Sequence, residues 1–158
     1  MIDPNWLAPF RHFTSHSPDE TLDFGRRLAR ALPRPALLIL TGDLGAGKTI
    51  LAKGIAEGLG VASAEDVASP SYTLVHEYRS AADTLYHLDL YRLEQNEQLA
   101  TLGLEDILPG GVAQGSVVVV EWGAKFPLFA RLPRIVVALT ATGDSTRSIA
   151  AAFEEGRE

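Results

Sequence analysis

The chain has 158 residues, of which 46% are hydrophobic, enough apolar material for one folded domain. It contains no cysteine, which excludes disulfides, thiolate metal sites and cysteine nucleophiles. The formal net charge is −6, whereas free-standing nucleic-acid-binding proteins usually carry a basic face, so direct binding of nucleic acid is not expected. The amino terminus lacks the pattern of a signal peptide, and no apolar run is long enough to span a bilayer. We therefore expect a cytoplasmic protein.

The first part of the chain is expected to hold an arm and a helix. Residues 1–16 show no clear period and are assigned to an amino-terminal arm, which precedes a P-loop domain at residues 17–155. Residues 17–20 read SPDE, with a capping Ser, a Pro in the first turn and a Glu three residues after the cap. This pattern predicts a helix, which Pro33 ends.

A buried strand, a Gly-rich loop and a second helix follow. Residues 36–40 are all apolar, which is typical of a strand covered on both faces of a parallel sheet. Apolar residues four apart then predict a helix from Lys48, and Gly60 is suited to end it. Further strands are predicted at residues 73–78, 84–89, 116–121 and 135–140, a helix at 94–104, and a short helix or strand at 148–153.

The fold class follows from the order of these elements. Helices and strands alternate along the chain, and the sequence has no repeat or low-complexity linker. We therefore predict a single α/β domain of the P-loop NTPase type, with a mostly parallel sheet flanked by helices.

The Gly-rich loop at residues 42–49 reads GDLGAGKT, which fits G-x-x-x-x-G-K-[ST]. In such a loop the glycines let backbone N–H groups turn toward phosphates, and the helix amino terminus adds its dipole. Lys48 would reach the β- and γ-phosphates, and the Thr49 hydroxyl would bind Mg²⁺. The residues predicted to contact the nucleotide are Gly42, Asp43, Leu44, Gly45, Ala46, Gly47, Lys48, Thr49 and Ile50.

A P-loop site also needs a carboxylate at the end of a neighbouring strand. Glu121 ends the run VVVVE, although a solvated acid at a strand end would look the same. Asp89 ends another predicted strand, and an ion pair with Arg92 is an equal alternative for it. His87 shares a strand face with Asp89, but a lone histidine is more often a hydrogen-bonded core residue than a catalyst.

The motif leaves several nucleotide-driven activities open. No N-K-x-D segment is present, so an adenine nucleotide is favoured over a guanine nucleotide. A small-molecule kinase, a stand-alone hydrolase and an ATPase that drives a partner all remain possible. A kinase usually has a lid with several arginines, and Arg131 and Arg134 could form part of one. A chain of 158 residues leaves little room for an acceptor domain.

Asp43 is unusual because it places an acid in a loop that binds anions. A carboxylate beside the γ-phosphate is unfavourable unless it faces a cation, a water molecule or a donor. We expect Asp43 to point toward the open mouth of the site, where it could orient the attacking water or meet a basic group of a partner.

Five segments together resemble the bacterial TsaE family. They are TGDLGAGKT, SPSYTLVHEY, HLDLYRL, LGLEDIL and VVVVEW, in this order, and the resemblance covers about residues 17–155. It implies a P-loop ATPase that uses ATP and Mg²⁺ in threonylcarbamoylation of the adenosine beside the anticodon of tRNA. In that family a TsaB–TsaD complex carries out the transfer, and the TsaE subunit binds the complex and hydrolyses ATP. A partner would then hold the tRNA, in agreement with the acidic chain.

The resemblance also implies roles for individual residues. Lys48, Asp89 and Glu121 would be catalytic, and Thr49 would join the two carboxylates in holding Mg²⁺. Glu121 would bind the metal or orient the attacking water, and Trp122 would lie beside the nucleotide. A switch-like, nucleotide-sensing loop would consist of Ser69, Pro70, Ser71 and Tyr72. The family commonly has S-P-T-F there, so this chain keeps a hydroxyl at its third position but loses a methyl group.

Overall fold

The computed structural model describes residues 4–68, 70, 73–108 and 115–157. Within these ranges, seven strands form one sheet in the order β1-β7-β6-β2-β5-β4-β3. The strands are Phe13–Ser15 (β1), Ala36–Thr41 (β2), Val75–Arg79 (β3), Thr84–Asp89 (β4), Val117–Glu121 (β5), Arg134–Ala141 (β6) and Arg147–Glu154 (β7).

The centre of the sheet is parallel and its two sides are antiparallel. β6, β2, β5 and β4 run in the same direction. β3 pairs antiparallel with β4, β7 pairs antiparallel with β6, and β1 pairs antiparallel with β7. The predicted α/β class with a mostly parallel sheet in one domain is confirmed.

Helices cover both faces of the sheet. Two long helices lie on one face, and three short ones belong to the other. None of the helices in the described ranges is long and apolar enough to cross a bilayer. The α-helices are Pro18–Ala31 (α1), Lys48–Leu59 (α2), Asn96–Leu99 (α3), Leu104–Ile107 (α4) and Pro127–Ala130 (α5), and 3-10 turns lie at Pro4–Phe10, Ala64–Asp66, Ala100–Leu102 and Gly123–Lys125.

The ends of α1 and α2 follow the predicted signals. The Ser17 side chain accepts a hydrogen bond of 3.1 Å from the backbone N–H of Glu20, which caps α1. α2 ends at Gly60, whose φ of 73° is the left-handed conformation that glycine adopts without strain. These caps set the start of α1 and the end of α2.

Three predicted elements differ from the structure in their bounds. The helix predicted at residues 94–104 is divided into short turns, because Gly103 takes a φ of 66° and interrupts it before α4. β3 begins only at Val75, since Leu74 has a φ of 70° and leaves the strand conformation. Of the two structures predicted at residues 148–153, the strand is correct, because β7 forms a hairpin with β6.

The amino-terminal residues pack on the domain. Leu7 and Phe10 are buried, with 2% and 5% of their surface exposed, and β1 adds a seventh strand beside β7. The ring of Phe10 meets Phe24 of α1 edge-on, with ring centroids 5.6 Å apart. Residues 4–15 therefore contribute to both the sheet and the core under α1.

The apolar core consists of two clusters, one on each face of the sheet. Leu38 and Leu40 of β2 face α1 and α2, whereas Leu37 and Ile39 face the short helices. All five residues 36–40 are buried, as predicted for a strand covered on both faces. The sheet thus supplies a rigid base for the loops at its edge.

Candidate nucleotide-binding site

The phosphate loop and the two predicted carboxylates meet at one edge of the sheet. β2 leads directly into the loop, and its neighbours in the sheet are β5 and β6. In the register, Leu40 of β2 lies beside Glu121 of β5, and Glu121 lies beside Asp89 of β4. Because these strands are parallel, their carboxyl ends bring the loop and both acids together.

The glycines of the loop are required by its backbone. Gly42 has a φ of 145°, and a Cβ at this position would lie 2.5 Å from the carbonyl oxygen of Leu139 in β6. Gly47 has a φ of 105° immediately before the first residue of α2. Other L-residues would be strained in both places, so the glycines permit the loop to turn into the helix.

Lys48 is buried at the start of α2, with 5% of its surface exposed. Its Nζ donates hydrogen bonds to the backbone carbonyls of Gly42 and Asp43, the second of 3.0 Å, and lies 4.2 Å from the centre of the Trp122 ring. Burial lowers the pKa of Lys48, and the negative charges of Glu121, Asp43 and Asp89 oppose this effect. An anion in the loop would therefore stabilise the charged form of the lysine.

Thr49, Glu121 and Asp89 supply oxygen atoms at the mouth of the loop. Glu121 and Asp89 are almost fully buried, with 3% and 4% exposed. The Thr49 hydroxyl donates to Glu121 Oε1 over 3.4 Å, and Asp89 Oδ1 accepts a hydrogen bond of 3.0 Å from the backbone N–H of Tyr91. Glu121 is thus not a solvated acid at a strand end, which was the alternative from the sequence.

His87 lies beside Glu121 and is completely buried. Its Nε2 is 2.7 Å from Glu121 Oε2, the carboxylate oxygen that does not face Thr49. The histidine is therefore a hydrogen-bonded core residue, as its isolated position in the sequence suggested, but its partner is a site carboxylate.

These groups surround a cleft of about 280 Å³. Trp122, whose φ is 65°, forms one side of the cleft. The centroid of its ring lies 5.0 Å from the centroid of the Tyr91 ring. Most of the residues predicted for the site line this cleft. The lining consists of Leu44, Gly45, Gly47, Lys48, Thr49, Ile50, Asp89, Tyr91, Glu121 and Trp122.

The remaining predicted residues take other positions. Gly42 and Ala46 belong to the frame of the loop, and the carbonyl of each accepts a hydrogen bond from a side chain. Asp43 is exposed, and its negative charge acts on Lys48. In the switch-like loop, Pro70 is buried and its carbonyl accepts from the Leu74 N–H at 2.6 Å. The other three members, Ser69, Ser71 and Tyr72, lie outside the described residues.

Arg147 contributes to the loop, although motif reasoning did not name it as a site residue. Its Nε donates to the carbonyl of Ala46 at 3.1 Å, and another guanidinium nitrogen donates to the carbonyl of Gly45 at 3.2 Å. These contacts join residues about 100 positions apart in the sequence, so no local pattern predicts them. Tyr91 was also missed as a cleft residue, although it belongs to the segment HLDLYRL.

The arginines considered for a kinase lid lie elsewhere. Arg134 begins β6, at the end of the sheet opposite the loop, and pairs with Glu154 at 2.9 Å. Arg131 follows α5 and lines a separate groove with residues of α3 and α4. In this structure neither arginine lines the cleft at the phosphate loop.

The donor set fits Mg²⁺. The described residues contain no cluster of three or more His, Asp or Glu side chains suited to a protein-only metal site. Mg²⁺ usually takes one or two carboxylates and fills its remaining positions with water and substrate phosphates. The hydroxyl of Thr49 and the carboxylates of Asp89 and Glu121 provide this kind of partial shell beside the phosphate loop.

Comparison with known proteins identifies the family. The family model described as "Threonylcarbamoyl adenosine biosynthesis protein TsaE" matches residues 15–149. The chain belongs to the TsaE family. Among its relatives, the TsaE protein of Nostoc sp. is 41% identical over 115 residues, which are 69% of this chain and 65% of the relative. The TsaE protein of Bacillus subtilis is 38% identical over 134 residues, covering 84% of this chain and 79% of the relative.

A solved structure supports the same assignment. The crystal structure of Bacillus subtilis YdiB aligns with a TM-score of 0.68 and 32% identity, covering 90% of this chain and 85% of that chain. The aligned part of this chain spans just under two thirds of the Nostoc TsaE protein. The predicted resemblance to the TsaE family is thereby confirmed.

Proposed function

We propose that the protein is a Mg²⁺-dependent ATPase that supports formation of threonylcarbamoyladenosine in tRNA. Membership of the TsaE family supports the tRNA-modification role. The observation that carries the ATPase activity is the meeting of a P-loop with two buried carboxylates, Asp89 and Glu121, in one cleft. A site built only to bind a nucleotide would not require two acids near its phosphates, where they oppose anion binding.

The loop residues bind and orient the phosphates. The loop backbone presents N–H donors to the anion, and the amino terminus of α2 presents the positive end of its helix dipole. Lys48 adds a full charge in a buried position, where Coulomb interactions with phosphate oxygens are stronger than in water. The ring of Trp122 packs against this ammonium group and against the ring of Tyr91.

Thr49, Asp89 and Glu121 are the residues that would hold Mg²⁺. The metal, when bound, neutralises charge that develops on the transferred phosphoryl group. Glu121 also lies where its carboxylate can orient a water molecule and accept its proton, since one oxygen faces Thr49 in the cleft. We assign ATP as the nucleotide because the chain has no guanine-recognition segment of the N-K-x-D type.

We further propose that hydrolysis is coupled to a TsaB–TsaD-like complex, which holds the tRNA. The cleft lining supplies a single cation, Lys48, among the described residues. Phosphoryl-transfer sites often use a further cation, frequently an arginine from a partner protein. Asp43 is exposed beside the cleft and is suited to meet a basic group from such a partner.

Two substitutions test the ATPase. Lys48→Ala removes the buried charge and is expected to abolish ATP binding, measured by titration of a fluorescent ATP analogue. Glu121→Ala should leave binding nearly intact and slow phosphate release by about 100-fold or more, the usual contribution of a positioned proton acceptor. Phosphate release is measured with the TsaB–TsaD counterparts present.

Matched controls come from the same chain. Lys53 lies further along α2 and Glu97 is exposed in α3, so Lys53→Ala and Glu97→Ala should both behave like the wild type. If adding the protein to TsaB–TsaD changes neither ATP turnover nor tRNA modification, the proposed function is wrong. Phosphate transfer to a nucleoside or sugar at rates above hydrolysis would identify a kinase instead.

A further inference from the structure

The two oxygens of the Glu121 carboxylate face different environments. Oε1 accepts from the hydroxyl of Thr49 over 3.4 Å at the cleft, whereas Oε2 lies 2.7 Å from His87 Nε2 inside the domain. His87 has no exposed surface, and Glu121 has 3%. The histidine therefore contacts the side of the carboxylate that is turned away from the phosphate loop.

The hydrogen bond has a defined direction. A carboxylate can only accept, so His87 Nε2 carries the proton and donates it. The other ring nitrogen, Nδ1, is buried and has no hydrogen-bond partner within the described residues. A proton on Nδ1 would be an unpaired buried donor, which is unfavourable. The arrangement thus favours a proton on Nε2 over one on Nδ1.

The surroundings of His87 argue against a purely structural role. It lies on the sheet face beneath α2, where Leu85, Val117 and Val119 supply the neighbouring core side chains. Burial of two polar groups costs desolvation free energy that an apolar pair of similar volume would avoid. A histidine here therefore carries a desolvation cost that leucine would not, and its hydrogen bond to Glu121 is what distinguishes it from an apolar core residue.

We propose that His87 is a positioning residue for Glu121. By binding Oε2, it limits rotation about the last torsion of the glutamate, which is otherwise broad, and keeps Oε1 turned toward Thr49 and the cleft. Residues that orient a functional carboxylate or metal ligand in this way typically contribute 10- to 100-fold to activity or metal affinity. The inference rests on the proposed ATPase function.

Two amide substitutions that differ mainly in side-chain length provide the test. The amide nitrogen of His87→Gln can occupy about the position of Nε2, whereas the amide of His87→Asn is too short to reach Glu121. His87→Gln should keep kcat for ATP hydrolysis within about threefold of the wild type, and His87→Asn should lower it by about 10- to 100-fold. KM for Mg-ATP should stay within about twofold in both, because neither touches the phosphates.

Two further measurements separate positioning from folding. The apolar variant His87→Leu leaves Glu121 Oε2 without its donor, so it should unfold at a somewhat lower temperature than the wild type, yet stay folded at the assay temperature and show the low kcat of His87→Asn. Nitrogen-15 spectra of histidine-labelled wild-type protein, assigned by the signals missing in His87→Gln, should show the His87 ring protonated at Nε2. Substitution Glu121→Gln should then shift that nitrogen signal.

The outcomes distinguish this inference from the proposed function. If the wild type hydrolyses ATP and all three His87 variants do so equally well, His87 has no positioning role. If kcat falls equally in His87→Gln and His87→Asn, or the His87 ring is protonated at Nδ1, the hydrogen bond is not what matters. A wild type that releases no phosphate with TsaB–TsaD instead overturns the ATPase itself, and with it any role of His87 in hydrolysis.

Discussion

Single side chains shape the phosphate loop from outside the motif. Arg147, at the start of β7, donates hydrogen bonds to the carbonyls of Ala46 and Gly45. It also donates to the carbonyls of Gly143 and Thr146 in its own turn. These hydrogen bonds hold the carbonyls of Ala46 and Gly45 on the side of the loop that faces Arg147. The guanidinium therefore supports the loop conformation without entering the cleft.

Loss of this support should weaken nucleotide binding. Arg147→Ala removes two charge-assisted hydrogen bonds to the loop and is expected to raise the Kd for ATP by about 10-fold, corresponding to about 1.4 kcal/mol. Arg134→Ala is the matched control, since Arg134 also binds backbone carbonyls but at the opposite end of the sheet. Isothermal titration should show an affinity loss for Arg147→Ala only. Equal Kd values for both variants would contradict the support role.

At the scale of elements, the close crossing of α1 and α2 positions the start of α2. A Cβ at Gly54 would lie 2.2 Å from the carbonyl oxygen of Leu22, and one at Gly25 would lie 2.6 Å from the carbonyl oxygen of Leu51. The backbones of the two helices therefore touch at these glycines. Because Lys48 and Thr49 belong to the first turn of α2, this contact also helps to place the residues proposed to bind phosphate and Mg²⁺.

A methyl group at this crossing should separate the helices. Gly54→Ala gains up to about 1 kcal/mol in helix propensity but meets a backbone carbonyl that cannot rotate away. We expect a net loss of about 1–3 kcal/mol in the free energy of unfolding, as for other overpacked sites. This loss in the free energy of unfolding is measured by urea denaturation. Gly143→Ala is the control, because its nearest contact would be an ordinary 3.6 Å; equal stability of the two variants would refute the close contact.

At the scale of the whole molecule, the ends of the chain complete one sheet. The parallel centre carries the candidate nucleotide site, and antiparallel strands extend the sheet on both sides. β1 pairs with β7, so backbone hydrogen bonds join residues 13–15 to residues 147–149. The preceding 3-10 turn adds Leu7 and Phe10 to the core under α1. The amino-terminal residues are thus expected to contribute to global stability.

Two phenylalanines test this contribution. Phe10 is buried, whereas Phe153 of β7 has 42% of its surface exposed. Phe10→Ala should lower the free energy of unfolding by about 3–4 kcal/mol because it leaves a cavity beside Phe24, and Phe153→Ala should cost less than about 1 kcal/mol. The free energies of unfolding of the two variants are compared by thermal and urea denaturation. If Phe10→Ala proves as stable as Phe153→Ala, residues 4–15 behave as a loosely attached arm.

The sequence by itself determined the features that depend on short-range patterns. The all-apolar residues 36–40, the Gly-rich loop and the caps at Ser17 and Gly60 each follow from local conformational preferences and burial. They were enough to predict the α/β class, the phosphate loop and, through joint motifs, the TsaE family. A glycine pattern next to a buried strand has few other physical explanations.

The tertiary structure alone decided which distant side chains meet. The strand order places Asp89 beside Glu121, turns His87 toward Glu121 Oε2, and brings Arg147 to the carbonyl of Ala46. It also places Arg134 away from the loop. These partners are separated by roughly 30 to 100 residues, and no local preference encodes which strands become neighbours. That choice depends on how the whole chain buries its apolar faces, which only the folded arrangement reveals.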